Sequence, residues 1–140
     1  PIVDATTGIT IGKHRGLSYY TLGQRSGLQI GGLPDKPELP WYVLEKNSND
    51  NALIVTQNQK DLYSFSLTAK EPNWLCDHVP QNCFAKIRYR QPDQACSVIS
   101  RDNRIFVTFE HAQRAITPGQ YVALYDGTRC LGGAKITDVS

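Results

Sequence analysis

The sequence predicts a mainly β protein: a small α+β domain over residues 1–76, followed by a six-stranded type of β-barrel over residues 77–140. Short runs of alternating apolar and polar residues recur along the chain, with turn residues between them. Only one stretch, in the first part, shows helical spacing. In the second part, short runs follow one another without any helical pattern, which is typical of a small closed barrel.

Length and composition fit a globular protein of one ordinary domain or two small ones. The chain has 140 residues, of which 40% are hydrophobic and 20% are charged. No apolar run approaches the roughly 20 residues that a membrane helix needs, so we expect no association with a membrane. The chain begins with Pro1 and contains no methionine. We therefore expect it to be a piece of a longer protein.

The two parts differ in their charge. Residues 1–75 carry seven Lys or Arg and seven Asp or Glu, whereas residues 76–140 carry eight against six, and six of those eight are arginines. The formal net charge is only +2. This balance permits nucleic-acid binding by the second part without requiring it.

Two hairpins are predicted in the first part. Residues 1–15 contain two short β-rich runs with turn residues at 4–8 between them. Residues 40–57 contain two longer apolar runs around an Asn- and Asp-rich stretch at 46–51.

A short helix is predicted over residues 17–25, because Leu17, Tyr20 and Gln24 follow helical spacing and Gly27 suits a C-terminal cap. A further strand is predicted over 64–69. We expect Trp41 and Trp74 to anchor the core of the first part.

A break at residues 77–82 leads into the predicted barrel. Turn signals such as Pro118-Gly119 and Asp126-Gly127 separate its strands, and Gly132-Gly133 indicates a bulge or a tight bend. The predicted strands cover residues 83–90, 95–100, 105–109, 121–125 and 130–137.

The most basic stretch lies at the end of the first barrel strand. Strict alternation places Lys86, Arg88 and Arg90 on one face and Ile87 and Tyr89 on the other. Guanidinium groups suit a phosphate backbone. The alternative is an ordinary strand face exposed to water. A second polar pair, Gln24-Arg25, is either an exposed helix end or a docking surface for RNA or a neighbouring domain.

The cysteines show no catalytic or metal-binding pattern. Cys76, Cys83, Cys96 and Cys130 form no C-x-x-C pair, and we expect buried, reduced thiols in a cytoplasmic protein. A zinc site from Cys76, His78 and Cys83 is the open alternative. No nucleophile is paired with a base in any known catalytic motif.

Five motifs in order resemble the C-terminal part of the tRNA-specific 2-thiouridylases, and the resemblance covers essentially the whole chain. They are Tyr-Thr-Leu-Gly-Gln-Arg-Ser-Gly-Leu at 20–28, Pro-Trp-Tyr-Val at 40–43, Arg-Tyr-Arg-Gln at 88–91, Thr-Pro-Gly-Gln at 117–120 and Cys-Leu-Gly-Gly at 130–133.

The resemblance implies an activity and its partners. Enzymes of this family thiolate C2 of the wobble uridine in tRNA, using ATP and a persulfide cysteine that lie in an N-terminal α/β domain. This chain would then hold no cofactor and no catalytic residue and would be inactive alone. The complete enzyme would bind the anticodon region of tRNA and a sulfur-relay protein or cysteine desulfurase. The barrel would be similar to the second domain of elongation factors.

The resemblance also implies which residues contact tRNA. The family's contacts match Arg88, Tyr89 and Gln120, and the strand pattern adds Arg90. Strict alternation is in conflict with this set, because it places Tyr89 opposite the arginines. Two rival functions remain open: a protein-interaction barrel whose arginines dock an acidic partner, and an independent thiol enzyme.

Overall fold

The computed structural model describes residues 1–140 and divides them into two compact units, Pro1–Tyr63 and Ser64–Ser140. Ten strands and two 3-10 helical turns, Leu17–Tyr19 and Gln59–Leu62, make up the regular structure. Neither turn has the length or apolar character to cross a membrane. The strands are β1 Ile2–Asp4, β2 Thr10–Gly12, β3 Tyr42–Asn47, β4 Ala52–Thr56, β5 Tyr63–Trp74, β6 Asn82–Lys86, β7 Gln94–Arg101, β8 Arg104–Arg114, β9 Tyr121–Asp126 and β10 Arg129–Val139.

The first unit is a four-stranded mixed sheet in the order β2-β1-β4-β3. The antiparallel pairs β1–β2 and β3–β4 confirm both predicted hairpins, and β1 runs parallel to β4. One face of this sheet carries the core, in which Ile2, Val43, Leu53 and Val55 are fully buried. Trp41 joins that core as predicted.

The helix predicted over residues 17–25 is wrong. After the short turn Leu17–Tyr19 the chain is extended, and its backbone pairs with β3: the Gly23 N–H donates to the Val43 carbonyl at 2.8 Å, and the Val43 N–H donates to the Gln24 carbonyl at 3.0 Å. A helix of about nine residues is only marginally stable by itself, because it forms few hydrogen bonds to offset the free-energy cost of nucleation. Gly23, inside the predicted helix, also has a φ of 85°, which a right-handed helix does not allow.

The second unit is a closed barrel in the strand order β10-β5-β8-β7-β6-β9, which confirms the mainly β fold. Alternate residues of every strand point inward, and most of them are fully buried, among them Leu67, Val107, Val122, Leu124 and Ile136. The interior is therefore filled by side chains.

Strand β5 belongs to this barrel, whereas its residues 64–69 are predicted from the sequence as a strand of the first part. It lies between β10 and β8, with Ala69 opposite Ile136, so the barrel closes only when β5 is included. Accordingly Trp74, which was expected in the core of the first part, packs against the barrel core.

The glycine pair in β10 marks an irregularity, as predicted. The register between β10 and β9 shifts between Cys130 and Gly132. Gly132 has a φ of 146°, and a Cβ at this position would collide with the Asn73 carbonyl oxygen. Only glycine fits this bend.

Candidate nucleic-acid interface

The Arg88-Tyr89-Arg90 segment lies in a turn and not in a strand, so the predicted strand over 83–90 is too long. Strand β6 ends at Lys86, and in this segment Ile87 is the last buried residue before the exposed Arg88. The Gln91 N–H donates to the Arg88 carbonyl at 3.3 Å and closes the turn. All three residues are exposed, Tyr89 to 93%. Because these residues lie in a turn, strand alternation does not apply to them and no longer sets Tyr89 on the face opposite the arginines.

Three glutamines hold this turn in place, and we call Gln91, Gln94 and Gln113 the glutamine cluster. The Gln91 side chain accepts from the Ile87 N–H at 2.9 Å and donates to Gln113 Oε1 at 2.6 Å. Gln113, which is only 4% exposed, donates to Gln94 Oε1 at 3.1 Å and to the His111 carbonyl at 2.9 Å. The turn is therefore fastened to β7 and β8 by side chains.

Arg88 is itself part of this attachment. Its guanidinium donates to the carbonyl oxygen of Arg114, the last residue of β8, while the side chain stays at the surface. Arg90 is also exposed. A substitution of Arg88 therefore removes a contact within the barrel as well as a surface charge. For Arg90, the surface charge is the property that a substitution is designed to test.

Gln120 stands at the tip of a second turn. The Gln120 N–H donates to the Thr117 carbonyl at 3.2 Å, and Gly119 has a φ of 94°. A proline followed by a glycine of positive φ is the pattern of a type II turn. The next residue, Tyr121, lines the same surface groove as Arg88 and Tyr89. Of the four residues predicted for RNA, Arg88 and Tyr89 therefore line this groove, and Gln120 is the sequence neighbour of a third lining residue.

The second predicted pair, Gln24-Arg25, lies in the first unit and only partly fits a docking role. Gln24 Oε1 accepts from the Thr21 N–H at 3.0 Å, and Gln24 Nε2 donates to the Ser26 carbonyl at 2.9 Å. Both ends of the Gln24 side-chain amide thus bond to the backbone of the loop that contains it. Arg25 is exposed, so the docking hypothesis rests on Arg25 alone.

The thiols are unbridged, and the two buried ones face each other. Cys83 and Cys96 are register partners on β6 and β7 with their Sγ atoms 3.9 Å apart. The hydrogen bond to Cys83 and burial raise the pKa of Cys96, whereas the hydrogen bond from Cys96 lowers that of Cys83. Cys76 and Cys130 are half-buried. No three His, Cys, Asp or Glu side chains are arranged to hold a metal ion.

Sequence reasoning missed the glutamine cluster and two tyrosines of the groove, Tyr121 and Tyr125. The tyrosines had a readable signal, because they alternate with the apolar residues Val122 and Leu124 and so must face outward. The glutamine cluster had none. Gln91 and Gln94 are neighbours in sequence, but Gln113 follows Gln94 by 19 residues, and only the folded barrel brings it to them.

Both units match known domain families. Residues 64–136 match the aminomethyltransferase beta-barrel domain, and residues 1–57 match the tRNA methyl transferase PRC-barrel domain. The second unit is therefore an aminomethyltransferase beta-barrel domain.

Curated relatives define the family more closely. The tRNA-specific 2-thiouridylase of Legionella pneumophila strain Paris is 48% identical over 98% of this chain and 40% of its own length. The enzyme of the same name from Hahella chejuensis is 50% identical over 94% of this chain and 38% of its own length. The enzyme of the same name from Psychrobacter is 49% identical over 92% of this chain and 36% of its own length. The chain belongs to the tRNA-specific 2-thiouridylase family and spans about 40% of the length of these relatives.

Proposed function

We propose that this chain is the tRNA-binding part of a tRNA 2-thiouridylase. The observation that carries the proposal is the exposed Arg88-Tyr89-Arg90 turn, which the glutamine cluster fastens to the barrel. Arg88 and Tyr89 line a groove together with Tyr121, the residue that follows Gln120. Guanidinium groups bind phosphates through charge-assisted hydrogen bonds, and an exposed aromatic ring can stack on a base. An anchored turn presents these groups without a large ordering cost on binding.

The complete enzyme, on this proposal, thiolates C2 of the wobble uridine in the cytoplasm with ATP and a persulfide sulfur donor. The chain described here contributes binding only. Two of its thiols fit that proposal, because Cys83 and Cys96 are buried in the barrel and contact each other. ATP, the catalytic cysteines and the contact with a sulfur-relay protein or cysteine desulfurase would belong to the remainder of the enzyme.

The proposal is tested by titrating the 140-residue chain with tRNA at two salt concentrations. We expect Arg90→Ala to weaken binding by about 1–3 kcal/mol if its phosphate contact is bidentate. The slope of log affinity against log salt should flatten by roughly 0.7–0.9 for the lost phosphate contact. Arg88→Ala should do the same and also destabilise the turn. Gln120→Ala should weaken binding without changing the slope, because it carries no charge.

The matched control is Arg101→Ala, an exposed arginine at the far end of β7. This variant should have the same tRNA affinity and the same salt slope as the unchanged chain, within experimental error. Unchanged titrations for Arg88→Ala, Arg90→Ala and Gln120→Ala would refute the RNA-binding function. Binding of an acidic peptide that depends on the same arginines, with no binding of tRNA, would establish the rival protein-docking function.

A further inference from the structure

We propose that the groove beside the Arg88 turn binds one unstacked nucleotide of the RNA, with its base on the face of Tyr121 and its phosphate near Arg88. This inference rests on the proposed function and specifies how the RNA is held. We call the site the tyrosine groove. This open groove has a volume of about 300 Å³. It is lined by Lys86, Ile87, Arg88, Tyr89, Tyr121, Ala123 and Tyr125.

The shape of the groove follows from the alternation of β9. Val122 and Leu124 are fully buried in the barrel, so Tyr121, Ala123 and Tyr125 project from its outer face. The small Ala123 forms a floor between two large rings. Its register partner on β10 is Gly133, which adds no side chain to that floor. The result is a depression with a ring at each end.

Tyr121 offers its ring to a ligand. It is 68% exposed at the end of β9, directly after Gln120. A base that stacks on such a ring gains stacking energy whatever its identity, because every base has a π-face. A paired base cannot reach the ring, since stacking in a duplex covers both of its faces. Unpaired nucleotides of a tRNA loop are therefore the matching ligand class.

The charges around the groove favour an anion. Lys86 Nζ lies 5.2 Å from the centre of the Tyr125 ring and 3.5 Å from Asp93 Oδ1. An ion pair this exposed contributes little and is readily exchanged for another anion. Arg88 and Lys86 thus supply positive charge next to flat rings. That combination matches the phosphate and base of single-stranded RNA.

The test compares ring removal with groove filling in the 140-residue chain, titrated with tRNA and with a single-stranded RNA oligonucleotide. We expect Tyr121→Ala to weaken binding by about five-fold to a hundred-fold, the usual effect of losing one base–aromatic stack. The salt slope should stay unchanged because no phosphate contact is lost. Tyr121→Phe should bind like the unchanged chain. Ala123→Leu should weaken binding with both rings still present, because it fills the floor.

Tyr63→Ala, which removes a half-exposed ring outside the groove, is the matched control and should have no effect. Denaturant unfolding of each variant verifies that the barrel is intact. If Tyr121→Ala and Ala123→Leu bind RNA normally while Arg90→Ala is weakened, the groove inference is overturned and the proposed function stands. If the arginine variants are also unaffected, both fail. Loss of poly-glutamate binding in Tyr121→Ala, with RNA binding unchanged, would assign the groove to a protein and likewise overturn it.

Discussion

Two segments of this chain place a glutamine beside an arginine, yet the structure uses them differently. In the first unit, Gln24 bonds to Thr21 and Ser26 of its own loop. In the barrel, Gln91 bonds to Gln113, which is far away in sequence. The side chain of Gln24 therefore stabilises only the loop in which it lies. That of Gln91 fastens a turn to the barrel wall and so fixes the position of its exposed neighbours.

Two of the four lysines of the first unit also bond to groups of the protein. Lys36 pairs with the buried Asp4 at 2.7 Å, and Lys46 donates to the Tyr20 carbonyl at 3.0 Å. The barrel turn leaves Tyr89 and Arg90 exposed, just as the Gln24 loop leaves Arg25 exposed. Polar composition alone therefore does not show whether the polar side chains of a loop bond within that loop or to a distant strand. Only the folded structure shows it.

The largest effect should come from Gln113→Leu, which removes the centre of the glutamine cluster. We expect the free energy of unfolding to fall by about 2–3 kcal/mol, because the amides of Gln91 and Gln94 lose a partly buried partner. RNA affinity should fall as well, although Gln113 is buried, since the turn loses its attachment. Denaturant unfolding and tRNA titration measure the two effects. The exposed Gln81→Ala is the control, and normal RNA affinity in Gln113→Leu would contradict the positioning role.

A smaller effect is expected from Asp4→Asn in the first unit. Burial raises the pKa of Asp4, but hydrogen bonds from Lys36, Thr6 and Thr7 outweigh it and hold the pKa below its ordinary value of 3.8. We expect a loss of about 1–2 kcal/mol in unfolding free energy at neutral pH, because Lys36 keeps only a neutral partner.

The pH dependence of that loss has a definite sign. A carboxylate whose pKa is lower in the folded state stabilises the fold above its unfolded pKa and loses this contribution as the pH falls through the folded pKa. The difference between Asp4→Asn and the unchanged chain should therefore shrink below about pH 4. Urea unfolding between pH 3 and 7 measures it, with the exposed Asp35→Asn as control. A difference that persists undiminished at pH 3 would contradict the ion-pair explanation.

The smallest effect is expected from Gln24→Ala. Two hydrogen bonds in a partly exposed loop should contribute about 0.5–1 kcal/mol to unfolding, since water replaces them at little cost. RNA affinity should not change. This variant is the direct counterpart of Gln113→Leu, and a tRNA titration that weakened in Gln24→Ala would remove the contrast between the two loops.

Local chemistry determined much of the fold. The hairpins around residues 5–9 and 48–51 follow from turn residues between β-rich runs, and the barrel strands follow from alternation that needs no knowledge of the partner strand. The bend at Gly132-Gly133 was visible for the same reason, because glycine tolerates a backbone that other residues avoid. The outward-facing tyrosines of β9 could equally be predicted from their alternation with Val122 and Leu124.

Long-range pairing decided the rest. Strand β6 ends at Lys86 although alternation continues to Arg90, because the last residue that β9 pairs with on β6 is Lys86. Strand β5 enters the barrel because closure requires a partner for both β10 and β8. The helix at 17–25 was lost to the backbone of β3. At residues 17–25 a local helix preference of a few tenths of a kcal/mol per residue was outweighed by hydrogen bonds and burial that exist only in the folded unit.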